Sequence, residues 1–198
     1  MQLYDLNLSG NCYKVRLFLS LIGQQAELTT VNLHAGEHQQ ADFLAINPRG
    51  QVPALVDGEL HLGDSQAILV YLARRYANDA WYPQDAVQQG RIAGWLSFAA
   101  NEVQHGPGSA RLGKLFGVPI DQLAVQKKAT ATLQLLDTQL GNHTWLAQGS
   151  QPSIADIAVY PYVALAGDGG IDLAPYAQLN AWFARIRALP GYIDMPGL

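Results

Sequence analysis

The sequence predicts two domains, an α/β domain followed by an all-helical domain. Up to about residue 80, short apolar runs alternate with helical patterns. An Asp57-Gly58 pair between two of these runs indicates a hairpin turn. Beyond residue 80, apolar residues recur at helical spacing and no strand pattern is visible. A chain of 198 residues is long enough to bury a core in such an arrangement.

The elements predicted for the first domain alternate in type. In order they are a strand at 2–6, a helix at 12–22 ended by Gly23, a strand at 27–33, a short helix at 39–46, the hairpin, and a helix at 66–76 with Ala67, Ile68, Tyr71 and Leu72 directed inward. A strand, a helix and a strand predict parallel neighbours joined by a right-handed crossover. The hairpin adds antiparallel strands to the same sheet. This order resembles the thioredoxin fold.

The second domain follows a linker at 78–84, which is polar, contains Pro83 and has no periodicity. Its predicted helices lie at 90–103, at 120–140 through Leu123, Leu133, Leu136 and Leu140, at 154–166, and at 179–189 before Pro190-Gly191. The segment at 154–166 is apolar nearly all round and is therefore expected at the centre of the domain. Ser153 and Asp156 form the expected capping motif of this helix, a role in folding rather than chemistry.

The global composition excludes several classes of partner and location. A net charge of −4 without a run of Lys or Arg argues against nucleic acid and against an anionic membrane surface. No apolar stretch is long enough to span a bilayer, and the first residues do not form a secretory leader. Cys12 is the one cysteine, so no intramolecular disulfide is possible. We therefore expect a cytoplasmic protein.

Residues 47–68 form the most informative run, because they predict a ligand cradle built from backbone. Pro53 restricts Val52 to an extended conformation whose N–H and C=O are free to pair with something else. If the Val52-Pro53 bond is cis, these groups face a pocket and hold a peptide-like ligand as an added strand. Asp64 then offers a carboxylate to an amine, while the Ser65 hydroxyl and free helix N–H groups suit a carboxylate. The ligand so described carries an amino-acid head group.

This run resembles the glutathione-binding segment of the cytosolic glutathione transferases, and the resemblance extends over nearly the whole chain. The other matching segments are 1–5, 9–16, 36–38 with 43–48, and Ser153-Ile154-Ala155-Asp156-Ile157-Ala158. The resemblance implies a thioredoxin-like glutathione-binding domain over 1–78 and an all-helical domain over 86–198 that contributes the electrophile site. It also implies glutathione as co-substrate, no metal, and a small hydrophobic electrophile as the second partner.

The resemblance assigns the glutathione contacts residue by residue. Glutathione is expected to lie along Val52, between Gln51 and Pro53, with its γ-glutamyl end at Asp64, Ser65 and Gln66. His38 matches a Gly-Glu-His segment of delta-like enzymes, in which the histidine reaches the peptide end of glutathione. A merely solvated histidine is the alternative.

Thiol activation is expected where the first strand meets the first helix, since a thiolate is stabilised by hydrogen-bond donors and by a helix N-terminus. The segment Ser9-Gly10-Asn11-Cys12 resembles the Ser-x-Pro-Cys loop of the theta and delta classes, in which the serine activates the sulfur. Asn11 departs from that loop and resembles bacterial classes with Thr-Pro-Asn, so it is the second candidate. Alternatively, Ser9 only caps the helix and Asn11 fills a turn.

Cys12 and Tyr4 are expected to pack rather than react. Cys12 has no Cys-x-x-Cys partner, and Tyr4 lies inside the first strand rather than after it. His105 and Arg111 are the candidates for the electrophile site, in a Gly-Pro-broken segment expected to hang over the cleft. Beta-class enzymes carry a functional histidine one position earlier, at Gln104, so a plain surface loop is the alternative.

The predicted function is a glutathione transferase-like enzyme that activates the glutathione thiol for attack on a small electrophile. Two alternatives stay open, a glutathione-dependent disulfide or peroxide reductase and a noncatalytic binding module. The family also implies a homodimer formed by the cradle's helix and the long helix after the linker. Trp95 and Phe98 are candidates for that face, although core burial would equally explain Trp95.

Overall fold

The fold begins with alternating strands and helices and ends in a helical bundle, and the computed structural model describes residues 1–198. The first half contains β1 (Gln2–Asp5), α1 (Gly10–Leu21), β2 (Glu27–Thr30), α2 (Ala41–Ile46), β3 (Ala54–Asp57), β4 (Leu60–Gly63) and α3 (Ser65–Tyr76). The second half contains α4 (Ala86–Phe98), a π-helical segment (Ala99–Gly108), α5 (Ser109–Phe116), α6 (Gln122–Asn142), α7 (Ile154–Ala164) and α8 (Ala177–Arg187). The predicted fold class is confirmed.

The four strands form one mixed sheet in the order β2-β1-β3-β4. β1 pairs with β2 in parallel across the α1 crossover, whereas β1 with β3 and β3 with β4 are antiparallel. Leu3 lies opposite Leu55 in the centre of the sheet, and both side chains are buried. The topology expected from the order of elements is therefore confirmed, although β2 ends at Thr30 rather than at Leu33.

Helix α1 packs against both α3 and α7, so it lies between the sheet domain and the helical domain. One hydrophobic core runs through both halves of the chain, from Leu3 and Phe18 to Trp182 and Ile186. A smaller cluster of Val31, Phe43 and Ala54 covers the other face of the sheet. Tyr4 packs edge-on against Phe43 with ring centroids 5.8 Å apart, as expected for a packing residue.

The linker is held by both domains. Trp81 packs edge-on against Phe18 of α1 with ring centroids 5.2 Å apart, and its carbonyl accepts a hydrogen bond from Ile154 N at the start of α7. Such contacts fix the relative position of the domains, and with it the walls of any site between them.

Helix α7 is the centre of the helical domain, because every residue from Ile154 to Val163 is buried. Its predicted capping box is present: the Asp156 carboxylate accepts a hydrogen bond from Ser153 N, and Ser153 Oγ accepts one from Ala155 N. The fully buried Asp156 carboxylate also accepts from Leu146 N and from Trp182 Nε1, at 3.1 Å and 3.0 Å. Asp156 therefore connects α8 and the loop before α7 to the start of α7.

Two predictions for the helical domain are wrong. The Gly-Pro-broken segment is not a loop, since Ala99–Gly108 continues from α4 in wide π turns and runs directly into α5. This helix packs closely on α6: a Cβ on Gly106 would lie 3.1 Å from Ala129 Cα, so the close approach favours glycine. Leu123, expected on the apolar stripe of α6, is 82% exposed because it lies in the first turn, beyond the packed part of that helix.

None of the helices combines the length and the apolar character that crossing a bilayer requires.

Candidate active site

A cavity of about 680 Å³ lies between the two domains, within the range typical of small-molecule sites. The sheet domain contributes the loops before α1 and α3, and the helical domain contributes the π-helical segment, α5 and α7. All the predicted site residues line this one cavity: Ser9, Asn11, His38, Gln51, Val52, Pro53, Asp64, Ser65, Gln66, His105 and Arg111. The structure thus brings together residues that lie as far apart in the sequence as Ser9 and Arg111.

Ser9 is the N-cap of α1. Its Oγ accepts a hydrogen bond from Cys12 N at 3.2 Å, as the capping alternative expected. A hydroxyl that accepts in this way still has its own hydrogen to donate. Capping therefore fixes the Ser9 oxygen at the cavity wall and leaves one donor available there.

The Asn11 carboxamide is surrounded by three other side chains. Its Oδ1 lies 2.8 Å from Lys14 Nζ and 3.3 Å from Ser65 Oγ, and its Nδ2 donates to Gln104 Oε1 at 3.2 Å. A carboxamide nitrogen carries two hydrogens, so one N–H of Asn11 has no partner within the chain. Asn11 does more than fill a turn, because it joins α1, α3 and the π-helical segment beside the cavity.

Cys12 is fully buried and is absent from the cavity wall. Its sulfur accepts a weak hydrogen bond from Leu6 N at 3.4 Å, and burial raises the pKa of the thiol to about 12. A thiol that stays protonated at neutral pH is a poor nucleophile, so Cys12 has the properties expected of a packing residue.

Val52 lies just before β3 at the edge of the cavity, and the Val52-Pro53 bond is cis. No hydrogen bond within the chain involves the backbone N–H or C=O of Val52. The neighbouring carbonyl of Gln51 differs, since it accepts from Asn47 Nδ2 at 2.7 Å. Val52 therefore offers one donor and one acceptor, the pair that an extended peptide needs.

Asp64 adopts an unusual backbone conformation for a residue with a side chain, with φ of 77°. Its Oδ1 accepts from Gln66 N at 2.9 Å and from Ala67 N at 3.2 Å, which caps α3. These helix N–H groups are consequently occupied, contrary to the expectation that they are free for a ligand. A conformation of this kind costs about 1–3 kcal/mol and is typical of functional sites.

The other oxygen of Asp64 faces Arg49, with Oδ2 and Nη1 3.2 Å apart. Both side chains are substantially exposed, so this ion pair contributes little stability and exchanges readily with other partners. The Ser65 hydroxyl beside it lies 2.7 Å from Gln66 Oε1. Asp64 and Ser65 thus present a carboxylate and a hydroxyl side by side at the start of α3.

His38 lies in the short 3-10 turn Glu37–Gln39 and lines the cavity. Its Nδ1 is buried and makes no hydrogen bond. Buried polar atoms without a partner are rare in native proteins and require an explanation. The buried Nδ1 itself is out of reach of a ligand, so the part of the His38 ring that lines the cavity is what the site offers.

Arg111, the second candidate for the electrophile site, is buried in α5 rather than placed in a loop. Its Nε donates to the Asp168 carboxylate at 2.9 Å, and its Nη1 donates to the carbonyl of Leu8 at 2.7 Å. Arg111 therefore connects the helical domain to the loop that carries Ser9. His105 differs, because it is exposed on the π-helical segment at the rim of the cavity.

The sequence patterns do not single out three further residues at the site. Tyr162 packs its ring against the start of α1, where a Cβ on Gly10 would lie 2.7 Å from the ring. Burial raises the pKa of the Tyr162 hydroxyl, although nearby Ser9 and the Asn11 backbone oppose that shift. The apolar pattern of α7 predicts burial of Tyr162 but no position relative to Ser9.

The other two residues at the site that the sequence patterns do not single out are Lys14 and Gln104. Lys14 is fully buried behind the cavity wall, and Gln104 lies on the wall itself. The three-residue spacing of Asn11 and Lys14 on a helix is a local pattern that predicts contact between the two side chains. No local pattern predicts the contact of Asn11 with Gln104.

Metal ligands are not gathered at the site, since no group of three or more His, Cys, Asp or Glu side chains is close enough to hold a metal ion. The charged side chains on the cavity wall are instead mostly basic, with Arg49 and Arg111 opposed by Asp64. Both arginines are already paired with a carboxylate, Arg49 with Asp64 and Arg111 with Asp168.

Comparisons with known proteins identify the fold as that of one family. Residues 1–74 match the model of the glutathione S-transferase N-terminal domain, and residues 113–190 match that of the C-terminal domain. Glutathione S-transferase theta-2B of Homo sapiens is 34% identical over 187 residues, which cover 89% of this chain and 76% of the human protein. Glutathione S-transferase 2 of Anopheles gambiae is 29% identical, and the match covers 96% of this chain and 92% of the Anopheles protein.

Solved structures that resemble this chain belong to the same family as these relatives. A glutathione S-transferase from Pseudomonas fluorescens superposes with a TM-score of 0.92 at 31% identity and covers 98% of each chain. A delta-class glutathione transferase of Nilaparvata lugens superposes with a TM-score of 0.88 at 30% identity, covering 96% of this chain and 90% of its own. The two family models together span most of the chain, and both sets of relatives carry the same name. The chain therefore belongs to the glutathione S-transferase family.

Proposed function

We propose that this protein is a glutathione transferase, which activates the thiol of glutathione for attack on a small hydrophobic electrophile. The observation that carries the proposal is the arrangement of unused hydrogen-bonding groups along one cavity. The free N–H and C=O of Val52 lie beside the Asp64-Ser65 pair, and the Ser9 and Asn11 donors line the same cavity at the start of α1.

Glutathione fits these groups by its chemistry. Its cysteinyl backbone pairs with Val52 as an added strand would, between Gln51 and Pro53. The γ-glutamyl ammonium faces the Asp64 carboxylate, and the γ-glutamyl carboxylate accepts from Ser65 with Gln66 beside it. The glycyl end reaches the part of the His38 ring that lines the cavity.

The same arrangement supports the chemical step. The Ser9 hydroxyl, an Asn11 N–H and the N-terminus of α1 all favour a negative charge, so they lower the pKa of the bound thiol. The thiolate then forms a carbon–sulfur bond with the electrophile, whose leaving group departs with its bonding electrons. Alignment of the two reactants supplies the rest of the acceleration.

The electrophile side of the cavity is largely apolar. Its wall includes the largely apolar set Leu8, Ala100, Leu112, Phe116 and Tyr162, beside the polar side chains of Gln104 and Arg111, with exposed His105 at the rim. We infer that Arg111 acts here by holding the Ser9 loop through the Leu8 carbonyl. This arrangement supports a small hydrophobic second substrate, which the helical domain over 86–198 binds while residues 1–78 bind glutathione.

Parallel assays test the proposal. Calorimetric titration should show glutathione binding, and a chlorinated aromatic should be conjugated to glutathione at a rate that Ser9→Ala lowers. Turnover of a small hydroxyethyl disulfide without conjugation of the aromatic would instead identify a glutathione-dependent reductase. Binding without either reaction would identify a noncatalytic module, and absence of binding would overturn the site itself.

The assembly and location follow as further parts of the proposal. We propose a homodimer formed through α3 and α4, supported by the half-buried Trp95 and Phe98, whose rings stack edge-on 5.1 Å apart on α4. Light scattering should give twice the chain mass, and Phe98→Lys should reduce it. We also propose a cytoplasmic location, supported by the single buried and unpaired cysteine.

A further inference from the structure

Lys14 is the least expected side chain near the cavity, because it is a cation that is completely buried. It lies in α1 between the core residues Tyr13 and Val15. Lysine is almost never fully buried unless it is paired, since removing the ammonium from water is costly. Burial lowers the pKa of Lys14 to about 7. Such a costly group requires a specific role.

The contacts of Lys14 show which role is available. Its Nζ donates one hydrogen bond, to Asn11 Oδ1 at 2.8 Å, and lies 5.5 Å from the ring centroid of Tyr162. No carboxylate lies within ion-pair distance of Nζ. The charged and titratable groups that face it are Asp64 at the start of α3, whose charge favours the ammonium, and Tyr162 of α7. Lys14 is therefore a buried cation whose hydrogen-bonded partner is a cavity residue.

This contact determines which way the Asn11 carboxamide points. Nζ donates to the amide oxygen, and in its ammonium form Lys14 can only donate, so it favours the orientation in which the oxygen of Asn11 faces it. The nitrogen of Asn11 is thereby directed to the opposite side, where one hydrogen is bonded to Gln104 Oε1 and the other has no partner. Without Lys14, rotation of the carboxamide by half a turn would present an acceptor there, which would repel a thiolate.

The Ser65 hydroxyl cannot replace Lys14 in this role. It lies 3.3 Å from Asn11 Oδ1 but only 2.7 Å from Gln66 Oε1, and its single hydrogen serves one acceptor at a time. In the proposed glutathione complex the same hydrogen donates to the γ-glutamyl carboxylate. Lys14 then remains as the donor that holds Asn11 Oδ1.

We propose that Lys14 is a positioning residue for thiol activation, which holds the Asn11 carboxamide with its remaining N–H toward the sulfur of bound glutathione. This inference rests on the proposed function, since it requires glutathione in the cavity. A role in packing alone does not explain the residue, because a methionine would fill the same space without the cost of burying a charge.

The test is the pKa of the glutathione thiol in the complex, measured from the ultraviolet absorbance of the thiolate during a pH titration. Lys14→Met should raise that pKa by about one unit, the scale of a lost charge or hydrogen bond near a titrating group. Glutathione affinity at low pH, where the thiol is protonated, should remain within about twofold, because Lys14 does not touch the peptide. Lys127→Met, on the exposed surface of α6, is the matched control and should change neither quantity.

A double substitution separates action through Asn11 from a direct effect of the charge. If Lys14 acts by positioning Asn11, Lys14→Met should add no further shift to an Asn11→Ala enzyme. Additive shifts would overturn the inference, and so would an unchanged thiol pKa in Lys14→Met. In either case, a lowered thiol pKa in the wild-type complex would still support the proposed function. A wild-type complex in which the thiol pKa is not lowered would overturn both.

Discussion

Asn11 and Gln104 join the two domains at the edge of the cavity, with Nδ2 of Asn11 3.2 Å from Oε1 of Gln104. Asn11 belongs to the first turn of α1, and Gln104 belongs to the π-helical segment that forms the opposite wall. A donor proposed to activate the thiol is thus bonded directly to the domain proposed to bind the electrophile. Changes on the electrophile side are therefore expected to alter the pKa of the thiol.

Gln104→Glu should reveal this connection. The carboxylate keeps an acceptor for Asn11 but adds a negative charge, which should raise the pKa of bound glutathione by about one unit. Conjugation of a chlorinated aromatic should then fall at neutral pH and recover at higher pH. Asn101→Asp places the same charge on an exposed position of the same segment and should leave the pH profile unchanged. Identical profiles for both variants would contradict the expectation.

Ser9→Ala should raise the apparent pKa of bound glutathione, read from the pH dependence of turnover, while glutathione affinity stays nearly constant. The reason is that the hydroxyl interacts more strongly with the thiolate than with the thiol. Loss of the N-cap should also lower the free energy of unfolding by about 1 kcal/mol. Cys12→Ala is the companion variant, and its buried sulfur should affect stability by about 1 kcal/mol but not the pH profile. Inactivity of Cys12→Ala alone would assign the chemistry to the cysteine instead.

Asp64→Asn should weaken glutathione binding by about 1.5–3 kcal/mol, because the charge-assisted bond to the γ-glutamyl ammonium becomes a neutral one. Asparagine tolerates a positive φ and caps helices well, so α3 should keep its start and the protein its stability. Asp85→Asn, at the N-cap of α4, is the control for removal of a capping charge and should not affect binding. Calorimetric titration measures the glutathione affinity of both variants. If Asp64→Asn bound glutathione as tightly as Asp85→Asn does, Asp64 would not belong to the binding site.

The stability of the protein should depend on pH through Lys14. Its folded-state pKa of about 7 lies below the ordinary value of 10.5, so between these values the unfolded chain binds one more proton than the folded protein. The free energy of unfolding therefore rises with pH across this window and is lowest below about pH 7. Lys14→Met should raise stability at neutral pH and flatten the rise, whereas Lys127→Met should keep the wild-type profile. Urea unfolding midpoints at a series of pH values measure this pH dependence of stability. Parallel profiles for Lys14→Met and wild type would contradict the role of Lys14 in it.

The parts of the fold that depend on local patterns are predictable from the sequence. The hairpin of β3 and β4, the capping box of α7 and the start of α3 at Asp64 each depend on residues close together in the chain. The cradle residues belong to one run of 22 positions, 47–68, which explains why they could be assigned to one ligand.

The remaining features of the site arise from packing between distant segments. The ion pair of Arg111 with Asp168 and the contact of Tyr162 with Gly10 join elements whose relative position no local pattern specifies. The π turns could not be predicted for the same reason, because Gly106 and Pro107 considered alone predict a break in the helix. Contact with α6 overrides that local preference.

Those π turns make the length of this segment as important as its composition. A side chain downstream of an α-helical insertion or deletion rotates by about 100° around the helix axis. Removing one residue between Ala99 and Gly108 would therefore turn Arg111 away from the Leu8 carbonyl while leaving the segment helical. Related chains that carry such a deletion would need a different anchor for the Ser9 loop, so we expect this part of the family to vary by substitution more readily than by length.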